Sequence, residues 1–165
     1  MTNKVIYNFE TEKEEISQLL YELRDKKIIF TNGCFDLIHT NHINLLSKSK
    51  DLGDVLIVGV NSDHSVKLLK GDDRPIVSES SRVYTLSGLR SVDYIILFDD
   101  YSVDSLVRFI KPDIITKGGD YTVDQLDNVG GTFMKESGGK TIIISNREEM
   151  STSDLISKIL KIYNK

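Results

Sequence analysis

The 165-residue chain carries 25 acidic and 21 basic side chains, and its formal charge of −4 argues against the broad positive surface that nucleic acid or an anionic membrane requires. A single cysteine, Cys34, rules out an internal disulfide framework and fits a reducing compartment. The first fifteen residues hold no signal-like apolar core and no run approaches the roughly 20 apolar residues of a membrane helix, so one soluble, cytoplasmic domain over 1–165 is expected.

Ile16, Leu19, Leu20 and Leu23 recur at helical spacing among charges, which predicts an amphipathic helix over 10–24 within an N-terminal helical extension, 1–26. Short β-rich runs follow at 27–31, 55–60, 93–98, 113–116 and 141–144, nearly all apolar on both faces, as in parallel strands covered by helices. Helices are expected at 42–52, 63–69, 80–89, 103–110 and around 126–137, with a last one over 151–162. Strands alternating with helices imply right-handed crossovers. The expected fold is therefore α/β, a single doubly wound Rossmann-like domain. Its core, 27–165, is a five-stranded parallel sheet with helices on both faces.

Four polar clusters fall where a strand hands over to a helix, which in an open α/β sheet is where ligands bind. In the first, Ile28-Ile29-Phe30 runs into Thr31-Asn32-Gly33-Cys34-Phe35-Asp36, then His39 and His42 open a helix. Free N–H groups there and two imidazoles suit a transferring phosphoryl group. A metal-binding couple, or two solvated helix residues, would leave the same spacing. In the second, Asn61, Ser62 and Asp63 precede Lys67, Lys70 and Arg74, a set suited to an anion at the same sheet edge. Helix capping by Asp63 and plain solvation of the lysines would also account for it. Residues 71–75 read as a turn or mobile loop able to close over phosphates.

In the third, Lys117-Gly118-Gly119-Asp120-Tyr121 allows close backbone approach, and Asp120 is placed to bond a sugar hydroxyl, although a simple turn has the same composition. The fourth is Arg147 with Ser151-Thr152-Ser153-Asp154, whose spacing suits a capping box and whose helix start would make a second anion site. Cys34 reads as a small buried thiol without an activating base.

In order and coverage, FTNGCFDLIHTNH, LGDVLIVGVNSDHSVKLLKGDDRP, the SR of SSRVYTLSGL, VDYIILF, KPDIITKGGDY and STSDLI resemble the cytidylyltransferase-like nucleotidyltransferases. The closest resemblance is to bacterial D-glycero-β-D-manno-heptose 1-phosphate adenylyltransferases, which occur alone or fused to a sugar kinase. The resemblance implies ATP and heptose 1-phosphate as substrates, ADP-heptose and pyrophosphate as products, Mg²⁺ as companion of the triphosphate and a homodimer. It casts His39, His42, Lys70 and Arg82 as catalytic. Thr31, Gly33, Cys34, Phe35, Asp36, Asn41, Lys117, Gly118, Asp120, Arg147, Ser151 and Thr152 would bind the nucleotide, and Asn61, Asp63, Lys67 and Arg74 the acceptor. No residue is expected to ligate the metal directly. A cytidylyltransferase acting on glycerol 3-phosphate or a similar phosphorylated alcohol shares the same motifs, and a nucleotide-binding module without catalysis is the reading from another class.

Two positions depart from the pattern. Asn41 stands in place of the glycine of HxGH, so a side chain is expected where backbone usually approaches the nucleotide, with Asn tolerated there as a cap or in left-handed backbone. Glu149 stands where relatives commonly carry glycine, adding a carboxylate near the triphosphate.

Overall fold

A computed structural model describes residues 6–119, 130–147 and 151–163. The elements run β1 (Ile6–Asn8), α1 (Lys13–Glu22), β2 (Ile28–Gly33), α2 (Thr40–Lys50), β3 (Val55–Asn61), α3 (Asp63–Lys70), α4 (Glu79–Ser87), β4 (Tyr94–Phe98), α5 (Asp104–Ile110), β5 (Ile114–Gly118), α6 (Gly131–Ser137), β6 (Lys140–Ile144) and α7 (Thr152–Tyr163). Every expected helix is present within a few residues of its expected bounds, except that the first part of 126–137 lies outside the described residues.

The sheet has six strands, not five, in the order β1-β4-β3-β2-β5-β6, and each pairing is parallel. The added strand is β1, which sets Ile6 to Asn8 against Ile95 to Leu97 at the edge of the sheet. With three residues, none of them buried, it carries no alternation to read. The described part of the N-terminal segment is therefore more than a helix. It supplies an edge strand and then α1, whose Ile16 and Leu19 enter the core beside Phe9 and Leu23.

Alternate strand residues feed two hydrophobic clusters, since successive side chains of a strand point to opposite faces. Ile28, Phe30, Val55, Ile57, Ile96, Phe98 and Ile115 meet α1, α5 and α6 on one side. Ile29, Leu56, Val58, Val60, Ile95 and Ile114 meet Leu46 of α2 and Val83 and Leu86 of α4 on the other. That two-sided burial explains why the strands read as continuous apolar runs. No described helix is long and apolar enough to cross a membrane.

The chain winds outward from β2 through β3 to β4, then returns to the other flank of β2 with β5 and β6. The strand order therefore reverses between β2 and β5, which opens a crevice at their carboxyl ends. Two glycines let the layers close around it. A Cβ at Gly118 would come 3.3 Å from Leu45 of α2, and one at Gly59 would come 2.8 Å from the Phe30 ring and 3.1 Å from the Asn32 Cβ. Gly59→Ala should therefore cost about 1–3 kcal/mol through overpacking, read as a lowered urea midpoint at unchanged slope.

Candidate active site

The carboxyl ends of β2, β3, β4 and β5 contribute Asn32 and Gly33, Asn61, Phe98, and Lys117 and Gly118 to one cleft of about 580 Å³. The start of α2 adds His39, Asn41 and His42, the segment after α3 adds Arg74, and the start of α7 adds Ser151, Thr152 and Ser153. All four sequence clusters thus converge on one opening.

Because β2 ends in a left-handed turn, the chain can double back at the cleft floor: Phe35 holds φ 48° and is buried. Such backbone is costly for a bulky residue and is held in place by surrounding contacts. Its ring packs against His42, with centroids 5.2 Å apart. His39 is the N-cap of α2 in extended conformation, and its carbonyl accepts the His42 N–H at 3.0 Å. One helical turn stacks the two imidazoles, with centroids 3.9 Å apart. Neither Nδ1 has a hydrogen-bond partner. Burial, and then the neighbouring His39, push His42 down to about 4 against the opposing Leu37 carbonyl. Burial also lowers His39, with Asp154 opposing. Both rings are neutral at pH 7 and carry unused capacity for an anionic guest.

The loop after α3 is pinned by Asp36. This buried carboxylate accepts Arg74 Nε at 2.7 Å, Ile76 N at 2.9 Å and Val77 N at 2.9 Å. Burial opposes its charge, but the two amides and the guanidinium outweigh it and hold the carboxyl below its usual range. Asp36 lines the cleft, yet its oxygens are engaged in the loop. Lys70, by contrast, is exposed on the cleft wall with Arg74 nearby. Lys117 is buried beneath the opposite wall and donates from Nζ to Asn32 Oδ1. Its burial lowers the ammonium to about 7, with Cys34 opposing. The Cys34 thiol is pushed up by its own burial, against the cations Lys70, Arg82 and Arg74, so it is no ready nucleophile.

At α7, Ser151 and Asp154 form the expected capping box. The Ser151 N–H donates to Asp154 Oδ2 at 2.8 Å, and the Asp154 N–H returns to Ser151 Oγ at 3.2 Å. Asn41 does not cap α2 and does not need left-handed backbone. It lies inside the helix, is buried, and accepts the Arg147 N–H on Oδ1 at 3.0 Å.

Several expected site residues stand elsewhere. Arg82 does not line the cleft: it is fully buried behind it, donating to the carbonyls of Val77, Cys34 and Asn61 and pairing with Asp63 at 2.9 Å. Asp63 is thereby tied to Arg82, and Ser62 takes the cap of α3 by accepting the Ser65 N–H at 2.9 Å. Thr31 is buried inside the sheet and donates to the Thr116 carbonyl at 2.9 Å. Lys67 and Arg147 are exposed outside the cleft lining. Asp120 and Glu149 lie outside the described residues. The sequence reading also missed Leu45, Leu69, Phe98, Tyr101, Val103 and Asn146 in the lining. Phe98 closes β4 and Asn146 follows β6, so the strand-end rule applied to those two strands would have found both.

The cytidylyltransferase-like family model matches residues 30–161, a stretch that includes the strand ends and helix starts around the cleft. The chain belongs to the cytidylyltransferase-like family. It is 47% identical over 149 residues to the bifunctional protein HldE of Helicobacter pylori, covering 90% of this chain and 31% of that protein. It is 51% identical over 135 residues to the HldE of a Nitratiruptor species, covering 82% of this chain and 28% of that protein. The chain therefore spans about three-tenths of the length of these curated relatives. Among solved structures it is similar to the lipopolysaccharide core biosynthesis protein of Thermoplasma volcanium, at 32% identity and a TM-score of 0.62, covering 74% of this chain and 99% of that one.

In this member of the family, Arg82→Ala should lower stability by about 3 kcal/mol or more in urea denaturation, because three carbonyls and a carboxylate lose their partner at once. An unchanged midpoint would return Arg82 to the cleft surface. The neutral His42 gives a second expectation. Since the unfolded side chain binds a proton near 6.5 and the folded one only near 4, the His42 contribution is complete above pH 6.5 and is lost as pH falls toward 4. His42→Gln should therefore lose about 2 kcal/mol less stability than the parent between pH 7.5 and 4.5.

Proposed function

We propose that the chain transfers AMP from ATP to a sugar 1-phosphate, D-glycero-β-D-manno-heptose 1-phosphate, giving ADP-heptose and pyrophosphate. The observation that carries this reading is the joint opening of His39, His42, Lys70, Lys117 and Thr152 onto one cleft at the strand-order reversal of a Rossmann-like sheet. The identity to HldE proteins over most of this chain supports the choice of acceptor. The lipopolysaccharide role named for the Thermoplasma protein points to the same sugar chemistry. A second domain in those HldE relatives would fill the length this chain does not match.

In the proposed reaction an oxygen of the sugar phosphate attacks the α-phosphorus of ATP in line. The bond from that phosphorus to the bridging α–β oxygen breaks, and its electron pair leaves with pyrophosphate. The protein acts by positioning and charge, without a covalent intermediate. The α2 start offers two imidazoles to the triphosphate, while Thr152 at the α7 start faces its tail. Gly33 to Asp36 shape the floor beneath the nucleotide, and Lys117 with Gly118 lines the nucleoside side. Lys70 and Arg74 face the acceptor phosphate from the opposite wall, with Asn61 beside them. Arg82 serves as a positioning residue that shapes the strand ends.

Mg²⁺ belongs to this proposal as companion of the triphosphate, whose charge it would neutralise. Among the described residues no group of three or more His, Cys, Asp or Glu side chains could hold a metal ion, and Asp36 is engaged in its loop. That donor set fits a cation held by phosphate oxygens and water. A cytoplasmic homodimer forming one domain over 1–165 completes the reading, and the free thiol of Cys34 suits that compartment.

The test is pyrophosphate release with Mg²⁺, offering ATP, CTP and GTP against heptose 1-phosphate, other hexose 1-phosphates and glycerol 3-phosphate. Release confined to ATP with heptose 1-phosphate is expected, and His42→Ala should cut it by about 10²-fold or more while leaving the fold intact. Release with CTP and glycerol 3-phosphate would assign the chain to the cytidylyltransferases instead. Nucleotide binding without release for any acceptor would leave a binding module.

A further inference from the structure

The asparagine at the position of the motif glycine lines the cleft and ties its side-chain oxygen to the segment that follows β6. Asn41 is 7% exposed, and its Oδ1 accepts the N–H of Arg147, 106 residues further along the chain. Asn44 lies three residues on, on the same face of α2, and donates from Nδ2 to the Ser145 carbonyl at 3.0 Å. Residues 145–147 follow β6 and belong to no helix or strand, so their backbone groups have no ladder to satisfy them. The two asparagines supply one acceptor and one donor to that backbone on either side of Asn146.

Asn146 is the residue that matters to the cleft. It lines the opening and stands beside Gly119, where a Cβ would come 3.6 Å from its Nδ2. Gly119 is itself held by its N–H to the Ile144 carbonyl at 3.2 Å. A glycine at 41 has no side chain with which to make the Arg147 bond, so the clasp is particular to this chain's HxNH variant of the motif.

We propose that Asn41 and Asn44 are positioning residues for the nucleotide half of the cleft, holding the 145–147 backbone, and with it Asn146, against the start of α2. Asn41 thus replaces backbone room at the motif with a fixed wall, and the variant motif is compatible with an active site. The inference rests on the nucleotide-binding reading given above.

The test compares Asn41→Ala, Asn44→Ala and Asn41→Asp with the parent protein. Hydrogen exchange at the Arg147 amide should accelerate about tenfold or more in Asn41→Ala and return to the parental rate in Asn41→Asp, which keeps an acceptor oxygen. Both alanine variants should raise the KM for MgATP about five- to tenfold, with kcat within about twofold and the acceptor KM unchanged. The double variant should match either single one, because both hold the same segment. An unchanged Arg147 exchange rate in Asn41→Ala would remove the clasp. Accelerated exchange with an unchanged KM would leave a surface bond without a role at the site. Should no acceptor support turnover, the transferase reading fails, and calorimetric MgATP affinity decides the positioning role: weakening by the same factor upholds it, and equal affinity overturns it.

Discussion

The cleft depends on one buried guanidinium. Strands that open a crevice at their carboxyl ends leave carbonyls without ladder partners, and buried carbonyls must be satisfied. Arg82 supplies the donors, reaching the Cys34 carbonyl past the end of β2, the Asn61 carbonyl that ends β3 and the Val77 carbonyl of the intervening loop. Its planar fork of five N–H groups can serve several acceptors from one fixed position, which the ammonium of a lysine could not. With Asp63 balancing its charge, Arg82 fixes the distance between the two strand ends on which the site is built.

Around that strut the polar groups divide into those already engaged and those held open. Asp36, Asp63, Ser62 and Ser151 satisfy loops and helix caps. Among the described residues, only His39 Nδ1, His42 Nδ1 and Asp104 Oδ1 are buried without a partner. Each such group costs about 1–3 kcal/mol, and two of the three fall on stacked rings at the mouth of one cleft. A fold that leaves its unsatisfied groups together, at a helix N-terminus, has placed them where a ligand can satisfy them.

The sequence made the architecture legible because parallel strands buried on both faces leave continuous apolar runs, as β2 to β5 do. It hid β1, whose three residues at the sheet edge bury too little to leave a pattern. It placed the histidines, Lys70 and the α7 start at one edge, where they line one cleft, because topology alone carries strand ends there. It could not separate Arg82 from a phosphate ligand or Thr31 from a cleft residue, since burial depends on how α4 and β5 pack and not on motif position. Asn41 was ambiguous for the same reason: a substitution is visible in sequence, whereas the direction of its amide is fixed by a segment more than a hundred positions away.

The charge of the resting site follows from the same burial. A chain with net charge −4 can attract a triphosphate only through local placement, yet full positive charge in a half-closed cleft would be costly to desolvate. Here the two imidazoles are neutral at pH 7, and Lys117, lowered to about 7, is charged in only part of the molecules. An anion entering beside them would favour the protonated form of each, because an opposite charge within a few ångströms raises the pKa of a base. The attraction would then strengthen as the guest arrives, drawing protons from solvent, and would relax as pyrophosphate leaves. In the proposed transferase these three bases, set opposite Lys70 and Arg74, are inexpensive to keep neutral in an empty cleft and gain charge when phosphate is present.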